Sequence, residues 1–134
     1  MQLYAGLGCR RGCPAPVLAA LLEQLLHAHQ LPLCALQGLA SIDLKRNEPG
    51  LQQLAAQLGL PLVFFSAAQL APFDSRLSHR SEVAFTHSGC HGVAESAALA
   101  LAEHCTGGRA ALRLQRTVQA DVTLALAWAP PFEG

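Results

Sequence analysis

The segment Gly6-Leu7-Gly8-Cys9-Arg10-Arg11-Gly12 stands between an apolar run, Leu3-Tyr4-Ala5, and an apolar stripe running from Ala15 to His29. The run reads as a first strand. The stripe, Val17, Leu18, Leu21, Leu22, Leu25 and Leu26, has helical spacing. A strand that leads through glycines into a helix restricts the chain to folds built from β–α units. The same arrangement is an anion cradle, because glycines let backbone N–H groups approach a ligand and a helix N-terminus favours negative charge. Arg10 and Arg11 add donors matched to carboxylate or phosphate.

The anion is not set by a nucleotide motif. Gly12 falls one residue late for G-x-G-x-x-G, and no G-x-x-x-x-G-K-S/T is present. Glu23 comes too early and Asp43 too late for the ribose-binding acid. No cofactor is therefore expected. Net charge is zero with histidines neutral and aromatic residues make up 5% of the chain, which argues against nucleic acid as partner. No apolar run approaches the roughly 18 residues of a membrane span, and the N-terminus lacks a signal-peptide pattern. A cytoplasmic protein is expected. With 134 residues, 51% of them apolar, the chain is expected to form a single domain over residues 1–134. Five cysteines at irregular spacing do not suggest a disulfide framework.

Strand and helix signals alternate along the chain. Pro14 suits a helix start, and Gln30-Leu31-Pro32 ends that helix. Cys34 to Ile42 reads as a second strand. Pro49 and Gly50 open a second helix with Leu51, Leu54, Ala55 and Leu58 on one face, and Gly59 stops it. Leu62-Val63-Phe64-Phe65 reads as a strand buried on both faces, followed by a capping box at Ser66-Ala67-Ala68-Gln69. Pro72 to Ser81 reads as irregular, and Glu82 to His87 fits helix or strand equally. Gly92 to His104 reads as a helix and Thr106-Gly107-Gly108 as a turn. Ala110 to Leu114 and Val122 to Trp128 read as an antiparallel pair joined near Val118 to Asp121. The expected fold is α/β: a mostly parallel sheet, helices on both faces and an antiparallel C-terminal edge strand. Ligands of such sheets sit outside the carboxyl ends of the parallel strands, which here collect Gly8 to Gly12, Ser41 to Glu48, and Ser66.

Those segments carry a resemblance. Gly6 to Gly12 resembles the opening G-I/L-G-C-R-R/K-G of the CobE and CbiG C-terminal family of cobalamin biosynthesis. Ala40 to Leu51 is similar to that family's A-S/T-x-x-x-K-x-x-E-x-G-L/I motif, Phe64-Phe65-Ser66 to its F-F/Y-S/T step, and Gly92 to Leu99 to its G-V-x-E-x-A-A-L helix start. The order and spacing fit from Leu3 to about Trp128. The match departs at Cys13, where a small hydroxylated residue is common, and at Arg116, where lysine is usual. The chain resembles the stand-alone members, without the extra N-terminal region of the fused ones.

The resemblance implies a role in corrin-ring biosynthesis, with a precorrin-type tetrapyrrole as ligand and other enzymes of the pathway as possible partners. Fused members are implicated in opening a ring lactone with loss of a two-carbon fragment. The substrate-binding set is then Gly8, Arg10, Arg11, Gly12, Ser41, Lys45, Ser66, Glu95 and Arg116. Lys45 and Glu48, three residues apart, are the catalytic candidates if the protein is a hydrolase: Glu48 as base on a water, Lys45 stabilising an oxyanion. A surface ion pair and helix capping are the plainer roles for the two. Glu95 also complements the dipole of its own helix, and Ser66 is the cap of its helix. His87-Ser88-Gly89-Cys90-His91 resembles a soft-metal cluster, with Cys9 and Cys13 as further donors, but fits no standard zinc spacing, and no metal is expected. Cys34 and Cys105 read as core residues.

Overall fold

A computed structural model of the chain describes residues 2–78, 80, 82, 89, 92–119 and 121–129. Five strands form one sheet: β1 (Leu3–Cys9), β2 (Leu36–Ile42), β3 (Leu62–Phe65), β4 (Ala111–Gln119) and β5 (Val122–Trp128). Their order is β3-β2-β1-β5-β4. β1, β2 and β3 run parallel, and β5 is antiparallel to both β1 and β4. The C-terminal pair thus closes one side of the sheet, with β4 outermost and β5 inserted beside β1.

Alternation along β1 divides the interior. Leu3, Ala5 and Leu7 point to one face, where they meet Leu18, Leu21, Leu22 and Leu25 of α1 (Ala15–Ala28) and Leu51 and Leu54 of α2 (Pro49–Leu58). Tyr4 points to the other, with Ala40 and Ile42, under α3 (Ala67–Leu70) and α4 (Val93–Thr106). Each fully buried leucine contributes about 1.5–3 kcal/mol. α4 is buried continuously from Ala94 to Ala102, because its small side chains let it lie low on the sheet. The approach is closest at Gly6, where a Cβ would stand 1.8 Å from the Ala94 carbonyl oxygen. Any side chain there would lift α4 off the sheet.

Gly6 and Gly8 are therefore strand residues. β1 continues to Cys9, pairing Gly8 with Thr123 and Cys9 with Val122, so the glycine loop expected from the sequence shrinks to the turn at Arg10–Gly12. Other expectations need adjustment too. Cys34 and Cys105 are exposed, not core residues: Cys34 lies in a short 3-10 turn before β2 and Cys105 in the last turn of α4. The segment expected to be irregular from Pro72 instead begins inside a 3-10 helix, Ala71–Arg76. It is tied down by Arg76, whose guanidinium pairs with Glu103 at 2.9 Å, donates to the Ala110 carbonyl and covers the Phe73 ring. β4 runs on to Gln119, past the expected start of the turn at Val118, because two bulges let it follow β5 to its end. Glu82 to His87 lies almost wholly outside the described residues. The second helix, its stop at Gly59 in left-handed conformation (φ 67°) and the Ser66 capping box stand as expected.

Candidate functional site

The carboxyl ends of β1 and β2 and the β4–β5 turn meet at one edge of the sheet. Arg10 extends the β1–β5 ladder by donating its N–H to the Asp121 carbonyl at 3.0 Å, and the turn closes with Cys13 N–H on the Arg10 carbonyl at 3.2 Å. Gly12 takes φ 81°, a conformation that costs glycine little. Its N–H donates to Glu48 Oε2 at 2.9 Å, across 36 residues of sequence. Glu48 is only 7% exposed. Two residues further, Gly50 lets the start of α2 lie against the same loop, since a Cβ on Gly50 would stand 2.1 Å from the Cys13 carbonyl oxygen. The G-x-G-C-R-R-G and K-x-x-E-x-G segments are thus two halves of one joint.

The joint revises the chemistry expected of the turn. Glu48 is the N-cap residue of α2, but its side chain makes no capping hydrogen bond, and among the described residues it forms no ion pair with Lys45. Its carboxylate is the anion that the Gly12 N–H receives. The helix start offers little more to a ligand. Pro14 and Pro16 have no N–H, and those of Val17 and Leu18 already bond the Pro14 carbonyl. Recognition of an external anion falls instead on the arginine side chains. Arg10 reaches Asp121 Oδ1 at 3.3 Å with both side chains more than half exposed, an attachment worth under about 1 kcal/mol. Arg11 is exposed and, among the described residues, makes no hydrogen bond or ion pair.

Beneath the turn the Cys9 thiol is pushed up to about 11. Burial is the main cause; the Lys45 ammonium opposes it, while Glu48 and Cys13 add to it. Burial likewise raises Cys13 above the ordinary thiol value, with Asp121 and Glu48 adding to it. With both thiols raised above the ordinary value, each is a poor nucleophile near neutral pH. The remaining members of the proposed soft-metal cluster, apart from Gly89, lie outside the described residues.

The other expected site residues divide into two sets. Ser41 is fully buried and donates to the Leu7 carbonyl at 2.7 Å, stitching β2 to β1 in place of lining a cleft. Ser66 Oγ accepts from Gln69 N–H at 3.1 Å as the cap of α3. Glu95 and Arg116 come together under α4, but through the Arg116 backbone. A bulge between Leu114 and Thr117 takes the Arg116 N–H out of the ladder, and the buried Glu95 carboxylate accepts it at 2.8 Å. Glu95 also accepts from Ser78 N–H, at 2.8 Å, and from the Ser78 hydroxyl. The Arg116 Nε is buried without a partner among the described residues.

The edge therefore gathers Arg10, Arg11 and Gly12 with Glu48, and Lys45 is close enough to bear on the half-buried Cys9 thiol; Ser41, Ser66, Glu95 and Arg116 have structural contacts of their own. Sequence reasoning missed Asp121 and Ser78. Asp121 became visible only once β5 was known to lie beside β1, an order that strand spacing alone does not fix.

The sequence profile described as Cobalamin synthesis G C-terminus matches residues 3–127. The chain is 41% identical over 125 residues to the protein CobE of Sinorhizobium sp, covering 93% of this chain and 79% of that one. A crystal structure of CobE, a protein from the cobalamin (vitamin B12) biosynthetic pathway, superposes with TM-score 0.90 at 50% identity, covering 94% of this chain and 89% of the other. A cobalt-precorrin-5A hydrolase of Priestia megaterium is 29% identical over 128 residues, 96% of this chain; the chain spans about a third, 32%, of that protein's length. This chain belongs to the cobalamin synthesis G C-terminus family and is a cobalamin-biosynthesis protein.

Proposed function

We propose that the chain binds a precorrin-type tetrapyrrole through its peripheral carboxylates and holds it for another enzyme of the cobalamin pathway. The observation that carries this reading is the arginine turn at the carboxyl edge of the sheet, pinned by Gly12 N–H to Glu48 so that Arg10 and Arg11 stand clear of the core. A hydrogen bond to a charged group contributes about 1.5–3 kcal/mol, and micromolar affinity requires about 8. Two or three paired carboxylates and burial of part of the macrocycle reach that value. Arg10, Arg11 and Lys45 are the pairing groups in this reading.

The names of the longer relatives favour a second reading, a hydrolase that opens a ring lactone with Glu48 as base and Lys45 on the oxyanion. Against it stands the setting of Glu48: it is only 7% exposed and one carboxylate oxygen already receives the Gly12 N–H, which leaves little access for a substrate and an attacking water. The test is anaerobic incubation of the pure protein with precorrin intermediates, followed by absorption and mass spectrometry. A spectral shift without change of mass supports binding; a mass loss with acetaldehyde released, abolished in Glu48→Gln, supports the hydrolase.

A further inference from the structure

A shallow trough of about 270 Å³ runs between α1 and the end of β4, lined by Pro16, Val17, Ala20, Leu21 and Gln119. Val17 also lines an adjoining hollow of about 220 Å³, whose other walls include Arg10, Arg11 and Asp121. The two share Val17 as a wall, and we treat them as one furrow, apolar at one end and carrying two arginines and Asp121 at the other. Val17 is 38% exposed and Ala20 is exposed, although both lie on a helix whose remaining apolar residues are mostly buried. Each hollow falls below the roughly 300–1,000 Å³ of a site that encloses a ligand. The furrow instead suits the rim of a flat apolar ring whose anionic side chains project at one end, and the exposed Arg10–Asp121 pair is weak enough for a ligand carboxylate to displace Asp121.

We infer that, given the tetrapyrrole-binding reading above, this furrow seats one edge of the macrocycle: ring carbons rest on Val17 and Ala20, and carboxylates pair with Arg11 and Arg10. The ligand then lies on the α1 side of the carboxyl edge, away from Ser41, Ser66 and Glu95. Most of the ring stays open to solvent, which fits a protein that hands its ligand on.

Titration with cobyrinic acid, a corrin with free carboxylates, followed by its absorption bands, tests this against cobinamide, whose side chains are amides. Val17→Asp and Ala20→Asp put a negative charge in the furrow at exposed positions of α1. Asp at Val17, in the first helical turn, suits the helix dipole, so loss of binding there does not reflect loss of the helix. Each variant is expected to weaken cobyrinic acid binding about tenfold or more, and wild type is expected to bind cobinamide far more weakly. Hydrogen exchange on the wild type is expected to slow in 17–21 and 117–119 when cobyrinic acid is added. Wild-type affinity in both aspartate variants, with Arg10→Ala/Arg11→Ala still impaired, overturns the furrow and leaves the binding reading standing. If the wild-type protein binds no cobyrinic acid, the reading falls and the furrow with it.

Discussion

Gly50 has no room for a side chain, since a Cβ there meets the Cys13 carbonyl oxygen at 2.1 Å, a backbone atom that cannot swing aside. Gly50→Ala is expected to separate α2 from the arginine turn and cost about 1–3 kcal/mol, as overpacking does elsewhere. Urea unfolding monitored by circular dichroism measures it, and an unchanged midpoint would mean the joint is slack. The thiols give a second test at this scale. Cys9 is half-buried with its pKa raised to about 11, and Cys13 is buried, whereas Cys34 and Cys105 are exposed. Brief iodoacetamide treatment near neutral pH, read by peptide mapping, is expected to label Cys34 and Cys105 well before Cys9 and Cys13, because the thiolate is the reacting species. Rapid labelling of Cys9 would contradict its buried setting.

At the scale of elements, the clamp between the 3-10 helix Ala71–Arg76 and α4 carries a pH dependence. Burial pushes the Glu103 carboxyl up, but the Ala110 N–H and the Arg76 guanidinium outweigh it and hold the group below its ordinary 4.5. The folded chain then binds fewer protons than the unfolded one, so stability from this carboxylate is full above the unfolded value and is lost as pH falls through the folded value. The stability gap between wild type and Glu103→Gln is expected to be largest near neutral pH and to shrink as pH falls below 4.5; a gap constant with pH would contradict the clamp. The elements themselves were largely legible. Leucines at helical spacing gave α1 and α2, because local periodicity carries that signal. The apolar run Leu62 to Phe65 gave β3, but as an edge strand with only Phe65 buried, not the strand buried on both faces that a continuous run implies. The end of β4 was not legible, since bulges at Leu112/Leu114 and Leu114/Thr117 break the alternation that marks a strand. The 3-10 helix was hidden for a similar reason: it is held by the long-range contacts of Arg76 with Glu103 and Ala110, not by its own pattern.

Across the whole molecule, parallel topology brings the arginine turn and the Lys45–Glu48 segment to one edge, as the alternation of strands and helices implied. The roles within that edge were less legible. Glycines at 6, 8 and 12 look alike in sequence, yet Gly6 admits α4, Gly8 pairs with Thr123 inside the sheet, and only Gly12 turns the chain. Ser41 and Glu48 looked available to a ligand until burial showed them bonded to Leu7 and Gly12. Such distinctions depend on which backbone group a side chain meets across the fold, and sequence spacing does not encode that. The central claim is that Arg10 and Arg11 bind the carboxylates of a corrin precursor. Titration of the wild type and of Arg10→Ala/Arg11→Ala with a carboxylate-bearing corrin at ordinary salt, with circular dichroism confirming both folds, tests it most directly. The account expects affinity to drop by about 3 kcal/mol or more, over a hundredfold, if both pairings are made; equal affinity in the two proteins would contradict it.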